Sequence, residues 1–102
     1  MQVDFSKEFK QFDGKVIQES PDKHDAFTLR TASINGLMFK GEQEKLSGEE
    51  QIKRFDLSTL IYASTEPVDL ASEQVVLIKE QIAKIYIPLI VGQAWKMLEG
   101  QL

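Results

Sequence analysis

The chain has 102 residues, 42% of them hydrophobic and 27% charged, the composition of one ordinary globular domain spanning 1–102. Its 12 basic and 16 acidic side chains leave a net charge of −4, which argues against sequence-independent nucleic-acid binding because that needs a basic surface. There is no cysteine, which excludes disulfides and thiolate metal sites and is compatible with a reducing compartment.

Residues 1–18 read as β structure. Val3 and Phe5 begin a short extended piece, and Phe9 and Phe12 precede Asp13-Gly14, with Val16 and Ile17 after it. Asp-Gly between apolar residues predicts a hairpin with a type I′ turn, in which both central residues take positive φ. A lone hairpin is marginal in water, so one face should pack on the rest of the chain. No signal peptide is read at the N-terminus, since Asp4, Lys7 and Glu8 interrupt any apolar run.

Residues 19–26 are polar, contain Ser20-Pro21 and read as a loop. Residues 27–38 admit two readings. Phe27, Leu29, Ala32, Ile34, Leu37 and Met38 fit a short helix over 28–38 capped by Thr28, whereas 27–31 alone could extend the sheet. The helix is preferred, with Gly36 weakening it. Residues 41–45 form a polar connector.

Residues 46–98 hold most of the periodic hydrophobicity. Ser47 is the expected N-cap of a helix over 47–64, with Glu50 reaching back to the Ser47 N–H in a capping box. Glu49 and Lys53, and Glu50 and Arg54, are i,i+4 pairs in the favourable orientation. Ile52, Phe55, Leu57, Leu60, Ile61 and Tyr62 spread around more than one face, the pattern of a helix contacted on two sides, so this helix is expected at the centre of the bundle.

Pro67 marks its stop. The next helix, over 71–86, starts with Leu70 and Val75 as a hydrophobic staple and Gln74 at the third position. It should bury Val75, Ile78, Ile82, Ile85 and Tyr86 and turn Lys79, Glu80 and Lys84 to water, with Glu80 and Lys84 paired. Pro88 ends that helix and opens the last, over 88–99, which should bury Val91, Ala94, Trp95 and Leu98. Gly92 in its interior suggests close approach by another backbone, and Gly100 reads as the stop. The longest apolar run, residues 85–92, contains Pro88 and is far short of the ~18 residues of a membrane span. The expected fold class is α+β, mainly α: an N-terminal β-hairpin packed on a three- to four-helix bundle.

No catalytic, cofactor-binding or metal motif emerges. His24, the only histidine, lies in the polar loop beside Lys23 and Asp25, and a lone loop histidine makes a poor metal site or triad member. The acids at 65–73 join two helices but lack calcium-loop spacing, since Pro67, Val68 and Leu70 intervene. The helices over 47–64 and 71–86 invite comparison with a helix-turn-helix, but the connector is too long and the second helix too apolar. Gly36, Gly41 and Gly48 are scattered and form no phosphate loop. Tyr62, Tyr86, Trp95 and Met97 are the candidate partner interface, set against the plainer reading that each is core or core margin, with Trp95 favoured because tryptophan is enriched at hot spots.

The string Leu46-Ser47-Gly48-Glu49-Glu50, then Lys53-Arg54-Phe55, Ile61-Tyr62-Ala63 and Glu66-Pro67-Val68-Asp69-Leu70, resembles small proteins encoded by tailed bacteriophages and prophages. So do Leu77-Ile78-Lys79, Pro88-Leu89 and, most specifically, Val91-Gly92-Gln93-Ala94-Trp95. The likeness covers the C-terminal half. It implies a phage origin and a setting in the host bacterial cytoplasm or the virion, and it carries no site residue. The expectation is a non-enzymatic phage protein that acts by protein–protein interaction, without cofactor or membrane, as a morphogenesis or assembly factor or chaperone. Its partner would be a phage structural protein or a host protein, with a homo-oligomer also open. The alternatives are an early phage protein that binds and inhibits a host defence factor, and a small nucleic-acid-binding regulator.

Overall fold

A computed structural model describes residues 1–22 and 24–102. The polar loop read over 19–26 therefore includes one residue, Lys23, outside the described set. The elements run β1 (Gln2–Val3), α1 (Leu29–Met38), α2 (Gly48–Ala63), β2 (Val68–Asp69), α3 (Ser72–Ile85) and α4 (Pro88–Leu98). The class is α+β, mainly α, with an N-terminal hairpin region packed, among the described residues, on four helices.

The hairpin forms at Asp13-Gly14, with a different turn from the one expected. Gly14 donates to the Gln11 carbonyl at 3.0 Å and Gln11 to the Lys15 carbonyl at 2.8 Å. Gly14 has φ +87, and no non-glycine among the described residues has positive φ. Asp13 thus keeps an ordinary backbone, and Gly14 alone supplies the left-handed residue, as in a three-residue loop. The strands it joins are bridges rather than a ladder: Lys10 pairs with Val16, Gln18 with Ala26 and Glu8 with Thr28. These three short segments close on one another, because Ile17 donates to Phe9, Phe27 to Ile17 and Phe9 to Phe27, at 2.9, 2.7 and 2.9 Å. Such closure leaves little strand edge exposed. Among the described residues the one regular ladder is non-local and antiparallel, pairing Gln2 with Asp69 and Val3 with Val68.

Both readings of 27–38 hold in part. Phe27 and Thr28 belong to the closed segments, and the helix begins at Leu29. Thr28 makes no side-chain cap. The Leu29 and Arg30 N–H groups instead donate to the carbonyls of Lys7 and Phe5, each at 2.9 Å, so the N-terminal chain itself satisfies the helix start.

The central helix is α1, not α2. α1 packs along α3 and α2 and touches α4, whereas α2 lies against α1 alone to any extent. The reason is side-chain size: α1 buries Leu29, Ala32, Ser33, Gly36 and Leu37, and three of these are small enough to admit neighbours closely. At Gly36 an added Cβ would lie 3.1 Å from the Ile82 nitrogen and 3.2 Å from the Gln81 carbonyl carbon. The close backbone approach expected at Gly92 is therefore at Gly36, and Gly92 has open space around it.

Buried Gln81 crosses from α3 to the end of α1. Its Nε2 donates to the Gly36 carbonyl at 2.9 Å and the Phe39 carbonyl at 3.1 Å. Gln81→Leu should cost ~2 kcal/mol, because carbonyls placed to meet that amide lose their donor in a dry site. Urea unfolding followed by circular dichroism reads this, and a loss within experimental error would show that water replaces the amide.

Helix punctuation follows the sequence closely. Ser47 accepts from the Glu50 N–H at 3.1 Å, Gln74 accepts from the Ala71 N–H at 2.8 Å, and Pro88 is the first residue of α4. The Glu50 carboxylate turns to Arg54 Nε at 3.4 Å, so no reciprocal bond to Ser47 is seen. Gly100, at φ +74, donates to Met97 at 3.1 Å while Gln101 donates to Lys96 at 2.8 Å, the paired bonds of a glycine-terminated helix. α4 is rotated from the expected face: Ile90, Ala94, Met97 and Leu98 are buried, Val91 is partly buried, and Trp95 is at the margin.

Candidate protein-binding surface

The inner face of α2 consists of Arg54, Leu57, Ser58 and Ile61. α1 holds its C-terminal end: Arg30 Nη2 donates to the Ser64 carbonyl at 2.7 Å and its Nε to the Ile61 carbonyl at 3.2 Å. The N-terminal end is held by charge. Arg54, 7% exposed, lies 3.4 Å from Glu50 and 3.7 Å from Glu44, and Glu44 is also 3.4 Å from Lys84. Lys84 thus crosses to the 41–45 connector instead of pairing with Glu80. The Gly41 N–H, at 3.2 Å, and then Lys84 and Arg54 hold the Glu44 carboxyl below its usual range, against an opposing desolvation cost.

A depressed carboxylate contributes stability that is complete above its unfolded value, about 4.3, and disappears as pH falls below that through the folded value. Glu44→Gln should therefore lower the melting temperature at neutral pH and leave it nearly unchanged once the pH lies below the folded value of the carboxyl, where both side chains are neutral. Curves that stay parallel through that range would show that the carboxylate contributes nothing there.

With its inner face spent on α1, α2 turns the rest of its apolar side chains outward. Ile52 is 61% exposed, Phe55 62% and Tyr62 77%. With Thr59 they follow the three-and-four spacing that places side chains in one stripe on a helix, with exposed Asp56, spaced four from Ile52 and three from Thr59, along one flank. Met38 and Phe39, at the end of α1, continue the surface, 48% and 37% exposed. Between the two helices lies an open cleft of about 390 Å³, lined by Leu37, Met38, Phe39, Leu46, Ile52 and Phe55, with Lys40, Gln51 and Arg54 at its walls.

The four sequence candidates do not meet on one surface. Tyr62 lies on this stripe. Met97 is buried in the core, which removes it as a contact residue. Tyr86 packs against the core with its ring 5.6 Å from that of Phe27, and its hydroxyl accepts from Asn35 at 2.9 Å. Burial pushes that phenol above its usual range, with the Asn35 bond opposing. Trp95 is clamped: its Nε1 donates to the Lys79 carbonyl at 3.2 Å, and the Lys79 ammonium lies 5.2 Å from the ring while bonding Glu99 at 2.6 Å. Lys79 thus covers Trp95 rather than facing water freely. Ile52, Phe55, Met38 and Phe39 do not stand out in the sequence as partner contacts. Their signal is the spread of apolar residues around α2, which reads equally as two-sided burial.

Among the described residues no group of three histidine or acidic side chains is placed to hold a metal ion, and His24 is exposed. No described helix is long and apolar enough to cross a membrane. No protein-family model, curated protein or solved structure matches the chain.

Proposed function

We propose that this chain is a non-enzymatic phage protein that works by binding another protein, in the role of a morphogenesis or assembly factor or chaperone. The observation that carries the binding role is the outward stripe of α2 with the end of α1: Phe55, Tyr62 and Ile52 beside Met38 and Phe39. Single exposed apolar side chains are ordinary on a protein surface, whereas a contiguous group containing three aromatic rings has the composition of an interface centre. The phage setting rests on the resemblance of residues 46–98 to small tailed-phage proteins.

The test is affinity capture from phage-infected bacteria, using tagged wild-type chain and tagged Phe55→Glu side by side, with bound proteins quantified by mass spectrometry. Tail, capsid or terminase proteins held by the wild type and lost with the variant are the expected result. A single host protein held and lost in the same way would replace the assembly role by host inhibition. Identical sets on both baits would show that this surface is not where the chain binds.

A further inference from the structure

We infer that the outward face of α2 is covered by a second copy of this chain, with the two α2 helices antiparallel across a two-fold axis. The inference rests on the reading of that face as a protein-binding surface and adds its occupant.

Three observations support this occupant, and the first selects a copy over an unrelated protein. The first is that the face is complementary to itself. A two-fold pairing needs each protruding group and its receiving hollow on the same chain, at matching distances from the axis. Tyr62, the most exposed side chain of the stripe, stands near the C-terminal end of α2, and the cleft of about 390 Å³ runs along the N-terminal half, from Phe55 and Ile52 to Leu46. An axis between positions 53 and 54 sets Ile52 opposite the copy's Phe55. It also sets Tyr62 opposite the Leu46 end of the copy's cleft and Thr59 opposite its Gly48, where an added Cβ would meet nothing within 4 Å. Tyr62 and Leu46 are each roughly 12 Å from that axis at 1.5 Å per residue, so the ring meets the outer, Leu46 end of the cleft.

The second is area. The exposed parts of Met38, Phe39, Ile52, Phe55 and Tyr62 amount to roughly 500 Å² of apolar side chain, taking aromatic side chains at about 200 Å² each. With flanking Gln51, Thr59 and Ala63 each copy approaches the ~800 Å² per partner of a standard interface. The third is the sequence pattern itself. α2 carries the apolar residues of a helix contacted on two sides, and its own chain covers one.

The experiment is sedimentation equilibrium on the untagged chain from low micromolar to millimolar concentration, with Phe55→Glu and Tyr62→Glu compared by circular dichroism to confirm folding. A monomer–dimer equilibrium in the wild type is expected, with the dissociation constant raised about 100-fold in Phe55→Glu, the scale of losing a central aromatic anchor. The chain lacks cysteine, so a Gly48→Cys, Thr59→Cys double variant gives an independent reading of orientation. Mild oxidation should join two chains covalently, because within one helix those positions are about 16 Å apart and cannot meet. A wild type that stays monomeric at millimolar concentration overturns the inference, as does a dimer untouched by Phe55→Glu or a double variant that does not cross-link. A monomer whose captured phage proteins still depend on Phe55 would overturn the copy as occupant while leaving the binding surface in place.

Discussion

Phe9→Ala should lower the stability of the chain by ~3–5 kcal/mol, whereas Phe12→Ala, three residues away, should change it by no more than ~0.5 kcal/mol. Both residues flank the same turn and look equivalent in sequence. Phe9 is 0% exposed and Phe12 is 98% exposed. The Phe9 ring lies 4.9 Å from that of Phe27, and the Phe27 ring lies 5.6 Å from that of Tyr86, so Phe9 links the closed segments to the end of α3. Its backbone also belongs to the closure, donating to Phe27 and accepting from Ile17, each at 2.9 Å. Removing the ring leaves a cavity that those backbone bonds prevent from collapsing, which is the condition for the upper part of the range. A domain of this size has roughly 5–15 kcal/mol in total, so the variant should be near its unfolding threshold at 37 °C. Urea titrations of both variants, with near-ultraviolet circular dichroism as the packing signal, measure the difference. Equal losses would mean that Phe9 and Phe12 share one environment in solution.

Local signals are legible in the sequence because their causes are local. Ser47 accepts a first-turn N–H whatever surrounds it, Pro88 starts a helix because it lacks a donor, and Gly100 stops one because it tolerates positive φ. Sequence reasoning fails where a distant partner decides. Thr28 does not cap α1, because the carbonyls of Phe5 and Lys7 in the N-terminal chain reach the first N–H groups of that helix. The centre of the bundle differs from expectation for a related reason. Apolar bulk is what periodicity measures, and α2 has more of it than α1. Burial at a helix crossing also depends on how closely a neighbour can approach, and there Ala32, Ser33 and Gly36 outweigh larger side chains. Of the candidate surface, Tyr62 is legible. Met97 and Trp95 fall elsewhere because α4 is rotated relative to its expected face, which brings Ile90 and Met97 inward. A helix with apolar residues on two faces is recognisable from sequence, but nothing in the sequence says whether its own chain covers the second.

Gly36→Val should cost at least ~3 kcal/mol, and Gly36→Ala a smaller amount of the same sign. The neighbours of an added Cβ are the Ile82 nitrogen at 3.1 Å, the Gln81 carbonyl carbon at 3.2 Å and the Gln81 Cβ at 3.3 Å. Two of these are backbone atoms in the C-terminal half of α3, so relief requires α1 and α3 to separate rather than a side chain to rotate. Separation also lengthens the bond from Gln81 Nε2 to the Gly36 carbonyl, now 2.9 Å. Against this stands the helix-propensity gain of about 1 kcal/mol for replacing glycine by alanine in a helix interior. For alanine the contact is tighter than nearly all real ones, and rigid backbone on both sides makes the loss exceed the gain. For valine the γ-methyls add further overlap and the propensity gain shrinks, so the loss is larger. Gly92→Ala supplies the opposite sign in the same experiment. It also lies inside a helix, but an added Cβ there meets nothing within 4 Å, so the propensity term acts alone and should stabilise by up to ~1 kcal/mol. Chemical denaturation of the three variants under identical conditions orders them. Gly36→Ala more stable than wild type would show that α1 and α3 can move apart at little cost, and with that the close crossing would no longer account for α1 at the centre of the fold.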